Sequence, residues 1–107
     1  MKAVLFRQHG GLDKLSYEDL PIPTIGLDDV LVRVKACALN HLDLWVRQGN
    51  PAYPMPFPHV LGSDVAGIVE QVGSNVDSVT VGQRVFVSPG ISCWKCEYCL
   101  AGRDNFC

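Results

Sequence analysis

Four of the five cysteines in this chain lie close together as Cys93, Cys96, Cys99 and Cys107, in the spacing C-x2-C-x2-C-x7-C. Two residues between thiols let a tight turn bring both sulfurs onto one ion. Four soft sulfurs with no competing oxygen ligand suit tetrahedral Zn2+; a pair of disulfides or an iron–sulfur cluster is also compatible with the same residues. An all-thiolate zinc site is closed, with no position left for water or substrate, so its ion would hold structure rather than act as a Lewis acid. The segment 89–107 is rich in glycine, polar and turn residues and poor in apolar surface. Metal binding would supply the order that packing cannot, and backbone N–H groups, Lys95 and Arg103 would offset the excess negative charge of the thiolates. Cys37 is the odd one out, expected as a thiol packed in a core.

Composition narrows the setting. The only apolar run near the N-terminus, Ala3 to Phe6, stops at Arg7, too short for a signal peptide or a membrane span. A cytoplasmic protein is expected, where thiols favour metal over disulfides. The formal charge of -2, with no cluster of Lys or Arg, leaves no footprint for nucleic acid or an anionic membrane. Small molecules are the expected partners, and 107 residues are enough for one domain with a modest core.

The elements that must position these residues are mostly strands. Lys2 to Phe6 and Leu15 to Leu20 read as strands closed by Gly10-Gly11 and by Pro21-Ile22-Pro23. In Asp29 to Leu39, Val30, Val32, Val34, Ala36 and Ala38 alternate with Arg33 and Lys35, so the small apolar set is expected on one core face. Asn40 sits where a helix cap belongs, ahead of "HLDLWVRQ" and the natural stop Gly49. In that helix Leu42, Trp45 and Val46 make an apolar face, with Trp45 in the core, and Asp43 and Arg47 make an i, i+4 ion pair. Prolines at 51, 54, 56 and 58 predict an extended surface loop from Asn50 to Val60. Asp64 to Val72 and Arg84 to Val87 are β-branched runs that read as further strands. The sum is a mainly β, barrel-like domain with one short helix.

The stretches "DVLVRVKACALNHLD", "LGSDVAGIVEQVG" and "VGQRV", together with the four-cysteine lobe, resemble the N-terminal catalytic domain of the medium-chain dehydrogenase/reductase family. That family holds the zinc-containing alcohol dehydrogenases and their quinone oxidoreductase relatives. The resemblance runs from Met1 to Cys107. It implies a GroES-like, partly open β-barrel with a zinc lobe at 89–107, and a structural zinc on Cys93, Cys96, Cys99 and Cys107. No G-x-G-x-x-G fingerprint follows a strand into a helix here, so the chain reads as an incomplete domain of a two-domain enzyme. NAD(P)H would be held by a Rossmann domain outside these residues, and a homo-oligomeric full-length enzyme is expected.

Where the zinc alcohol dehydrogenases place a catalytic Cys and a catalytic His, this chain has Asn40 and Ser63, and Asp64 stands in place of Glu. The pattern "LNHLD" is similar to the zinc-independent quinone and enone reductases. The resemblance therefore implies reduction of a quinone, enone or other carbonyl without catalytic zinc. Catalytic candidates are Asn40 as a donor to the substrate carbonyl, His41 as a proton relay, Asp43 at the same helix end, and Ser63 as a second donor. Asn40 and His41 are also the candidates at the nicotinamide end of the cofactor. Two alternatives stay open: a zinc-dependent alcohol dehydrogenase with unusual ligands drawn from His41, His59 or Cys37, and a stand-alone zinc-stabilised β module that binds a partner.

Overall fold

The computed structural model describes all 107 residues. Its elements are β1 (Lys2–Phe6), a 3-10 turn at Leu12–Lys14, β2 (Ser16–Asp19), β3 (Val30–Ala38), α1 (His41–Gln48), β4 (His59–Val60), β5 (Asp64–Val72), β6 (Arg84–Val87), α2 (Glu97–Leu100) and a last 3-10 turn at Asp104–Phe106. The strands form two antiparallel three-stranded sheets, β2-β1-β4 and β3-β5-β6. The domain is mainly β, as its alternating runs require, and the two sheets share no hydrogen-bonded strand, so no barrel closes.

The core gathers on β1. Leu5 and Phe6 are fully buried, each burial contributing about 1.5–3 kcal/mol. Phe6 is the hub of an aromatic cluster with His9, Phe57 and His59, at ring separations of 5.9, 5.6 and 5.5 Å. That cluster corrects the expectation of a plain surface loop over Asn50–Val60. Its end, His59–Val60, is strand β4, paired with Phe6 and Leu5, because Phe57 and His59 have more to gain against Phe6 than in water. Lys2 and Asp19, directly opposite in the β1–β2 register, form an exposed ion pair of the kind that contributes little.

The β3–β5 ladder carries two register shifts, and the one on β3 breaks the single apolar face expected along that strand. Glu70 is an extra residue on β5 between the pairs Leu31–Gln71 and Val32–Val69, and Lys35 is an extra residue on β3 between Val34–Gly67 and Ala36–Ala66. A bulge of this kind reverses the alternation beyond it. Val32 and Val34 therefore share a side with Gly67 and buried Val69, whereas Ala36 and Ala38 share the opposite side with Ala66 and Asp64. At the C-terminal end of β3 both sides of the sheet are open: Val34 is 53% and Phe86 85% exposed. Cys37 is exposed there too, so it is not the packed core thiol expected. Gly67 is required at the crossing, since a Cβ there would lie 2.3 Å from the Arg33 carbonyl oxygen.

Candidate active-site and metal-binding residues

The N-terminus of α1 is built by one buried carboxylate. Asn40 takes the N-cap position with extended backbone, and Asp43, at N3, accepts a hydrogen bond from the Asn40 backbone N–H at 2.7 Å. Its other oxygen accepts from the Gly62 N–H at 2.8 Å. The Gly62 φ of +100° suits glycine and turns the chain so that this N–H faces the helix. Asp43 thereby fastens the segment 62–64 to the helix end, and it is buried while it does so.

That use of Asp43 replaces the predicted ion pair with Arg47. Arg47 is also buried, but its Nε donates to the Gly10 carbonyl at 3.2 Å, while the Gly10 N–H donates to the Arg47 carbonyl at 3.0 Å. The helix thus turns its charged residues inward, where backbone groups satisfy them, and its apolar residues outward. Trp45 is 60% exposed and does not join the core, because the inner face of α1 is already filled by Asp43 and Arg47.

The clasp brings Asn40, Ser63 and Asp64 to one end of the β3–β5 ladder. The Asn40 amide nitrogen donates to Asp64 Oδ2 at 2.7 Å; an ionised carboxylate accepts only, so the amide must turn its nitrogen to it. One N–H of that nitrogen is then free for another acceptor. Asp64 is the partner the sequence reading did not assign, since a pairing across 24 residues leaves no local signal. Ser63 is partly buried beside it. His41 is exposed and stands edge-on to Trp45 at 4.9 Å, one residue along from Asn40. His59 belongs to the Phe6 cluster instead, and His41, His59 and Cys37 form no common ligand group.

The four remaining thiols do come together. The sulfurs of Cys93, Cys96, Cys99 and Cys107 lie within 4.8 Å of one another, the one such group of three or more His, Cys, Asp or Glu side chains in the chain. Cys96 and Cys99 sulfurs are 3.5 Å apart and those of Cys93 and Cys99 3.9 Å. A regular tetrahedron with Zn–S bonds of about 2.3 Å has sulfurs about 3.8 Å apart, so this donor set fits zinc in both chemistry and spacing. Short turns make the fit possible. Cys93 and Cys96 flank a turn in which Trp94 adopts φ 61°, Cys99 rides on α2, and Cys107 follows the last 3-10 turn.

Backbone donors point at these sulfurs. The Cys96 N–H reaches Cys93 Sγ and the Cys93 N–H reaches Cys107 Sγ, each at 3.3 Å. N–H groups of Lys95 and Cys96 lower the Cys93 thiol to about 6, whereas burial first, and then the sulfur of Cys96, push Cys99 up to about 12. Cys93 and Cys99 are thus driven in opposite directions, backbone N–H groups favouring one thiolate and burial opposing the other. Arg103 lies over the Tyr98 ring at 5.5 Å and Lys95 makes no ion pair, so the charge offset in this lobe comes mainly from backbone.

Comparison with known proteins places this geometry. The family model for the alcohol dehydrogenase GroES-like domain matches residues 26–107. A sorbitol dehydrogenase of Bacillus subtilis is 42% identical over 98 residues, 88% of this chain. The crystal structure of an NAD-dependent alcohol dehydrogenase superposes on the whole chain at 50% identity with a TM-score of 0.91, and this chain covers 31% of it. A quinone oxidoreductase of Escherichia coli, in complex with NADPH, matches over 80% of this chain and 26% of its own at 33% identity and a TM-score of 0.73. The chain spans only 30% and 27% of the length of two curated dehydrogenases it matches. No helix is long and apolar enough to cross a membrane. The chain belongs to the alcohol dehydrogenase GroES-like domain family, the catalytic-domain family of the medium-chain dehydrogenases and reductases.

Proposed function

We propose that this chain is the N-terminal catalytic part of an NAD(P)H-dependent oxidoreductase that reduces a polarised carbonyl, enone or quinone without catalytic zinc, and that carries one structural zinc. The observation that carries this reading is the side-chain pair Asn40–Asp64 at the end of α1. An amide held by a carboxylate is an organised hydrogen-bond donor and a poor ligand set. Among these 107 residues no third ligating side chain joins it, since their one gathered group of metal-ligating residues is the four thiols.

The bound nicotinamide cofactor would supply a hydride to the acceptor carbon. As that bond forms, the carbonyl electron pair moves onto oxygen, and the free N–H of Asn40 donates to the developing oxyanion. The positive end of the α1 dipole lies at the same place and favours that charge. His41, exposed beside Asn40, then provides a route for the proton the oxygen needs, and the Ser63 hydroxyl offers a second donor. Asp64 keeps the amide facing the right way, and Asp43 holds both halves of the site together. Hydride addition to an already polarised acceptor asks mainly for position and one good donor, whereas a secondary alcohol must lose a proton to a base, a loss that a Lewis acid on its oxygen would ease and for which Asn40 and Asp64 gather no ligand set. Zinc on Cys93, Cys96, Cys99 and Cys107 would cross-link the 89–107 lobe and, with four protein ligands, take no part in the reaction.

A second reading, a zinc-dependent alcohol dehydrogenase with unusual ligands, is favoured by the fuller match to the alcohol dehydrogenase structure than to the quinone oxidoreductase. A substrate panel on the full-length enzyme separates the two. Oxidation of NAD(P)H by enones, quinones or aldehydes, exceeding oxidation of secondary alcohols by at least a hundredfold in kcat/KM, is expected; the reverse preference would favour the second reading.

A further inference from the structure

We propose that the side of the β3-β5-β6 sheet around Lys35 and Arg84 is a binding site for an aryl phosphate, its charged end held by the two cations and its ring laid against Phe86. This site is independent of the reading at Asn40.

Strand pairing gathers cations that the sequence keeps apart. Ile68 on β5 is paired with Arg33 of β3 on one side and with Arg84 of β6 on the other, and Lys35 follows Arg33 by two residues onto the same side of the sheet. Lys35 and Arg84 border a hollow of about 520 Å3 that is also lined by Ala66, Gly67, Ile68 and Phe86. That volume is within the range of small-molecule sites. Phe86 pairs with Ala66 and stands 85% exposed, so the small residue leaves room beside a ring that nothing in the chain covers. The charges here are unbalanced. Arg33 is engaged by Glu70, but Lys35 and Arg84 take part in none of the ion pairs of the chain, and no Asp or Glu lines the hollow. Two cations without a counter-charge set up a field that an anion offsets.

The pairing of charges names the ligand class. A phosphate monoester carries nearly two negative charges at neutral pH and three strong acceptor oxygens, which suits one ammonium together with one guanidinium fork. A monocarboxylate would balance only one of them. Lys35 and Arg84 belong to the strands on either side of β5, two strand spacings or about 10 Å apart, so long side chains from both can close on one group above Ala66. The exposed ring of Phe86 and half-buried Ile68 supply the apolar surface against which an aromatic body would pack. Ile68 is four residues along β5 from Asp64, about 13 Å. The seat is therefore separate from the Asn40–Asp64 pair.

Phenyl phosphate, titrated by calorimetry into the full-length enzyme saturated with its nicotinamide cofactor, tests the site with the phosphate subsites of the dinucleotide already filled. Binding is expected, weakened about tenfold in Lys35→Gln and in Arg84→Gln and unchanged in Lys2→Gln, a cation on β1. Phe86→Ser should weaken phenyl phosphate and leave inorganic phosphate as it was, and benzoate should bind the wild type about tenfold more weakly than phenyl phosphate. No binding to the wild type, affinity unchanged in both the Lys35 and Arg84 variants, or an equal loss in Lys2→Gln would overturn the proposal. Inorganic phosphate or benzoate binding as tightly as phenyl phosphate would overturn the ligand class. Lys35 and Arg84 are both exposed, so either variant keeps the test open if the other fails to fold.

Discussion

Asn40 and Asp43 are two residues of one cap with different duties. Asn40 turns its amide nitrogen to Asp64, with one N–H left for the carbonyl oxygen in the proposed reaction, and Asp43 spends both oxygens on backbone N–H groups. Asn40→Ala in the full-length enzyme should lower kcat/KM by about tenfold to a hundredfold, if its hydrogen bond strengthens in the transition state by roughly 1.4–2.7 kcal/mol. An unchanged rate would leave Asn40 as a helix cap alone. Asp43→Ala strands two buried donors and should cost roughly 2–4 kcal/mol in urea denaturation, while Asp43→Asn, which keeps one accepting oxygen, should cost about half as much. If Asp43→Ala were as stable as wild type, Asp43 would not be the clasp. The cap was legible in the sequence, because Asn40 and Asp43 have the N-cap and N3 spacing. The fates of Asp43 and Arg47 were not, because i, i+4 spacing predicts an ion pair on an exposed face, and their partners lie 19 and 37 residues away.

At the scale of elements, alternation and turn residues marked the strands well: Lys2–Phe6, Asp64–Val72 and Arg84–Val87 fall where the sequence puts them, and β2 and β3 within a residue at each end. The bulge at Lys35 escaped, since an extra residue in one strand is defined by the partner strand and leaves no mark in the β3 pattern. The face assignment of Ala36 and Ala38 and the burial of Cys37 failed with it. Short β4 escaped because prolines on both sides of Phe57 read as loop, while the gain comes from distant Phe6. In the lobe, α2 and the last 3-10 turn pack on each other and Tyr98 meets Phe106 at 6.1 Å, with little support from either sheet. Cys96→Ser should therefore speed amide exchange across residues 89–107 while leaving β1 to β6 protected. Loss of protection in β1 or β5 as well would mean that the lobe is part of the core.

The whole molecule is open for its size. Its radius of gyration is 15.8 Å, against about 13 Å expected of a compact domain of this length, and its buried apolar residues are only Ala3, Leu5, Phe6 and Val69. Phe86, Val34 and Val87 at the open end of the β3-β5-β6 sheet leave apolar surface that favours association. The isolated chain should self-associate in sedimentation velocity, and, with no glycine fingerprint for a dinucleotide phosphate, should bind NAD(P)H no tighter than millimolar; a well-behaved monomer with micromolar cofactor affinity would contradict both expectations. If zinc holds the lobe and reduction at Asn40 proceeds without one, counting zinc in the purified full-length enzyme and following enone reduction during chelation will show it. One zinc per chain, with a rate that persists until the lobe itself loosens, is the predicted result. Two zincs per chain, with activity lost as the first is removed, would mean that a catalytic ion takes part in the reaction.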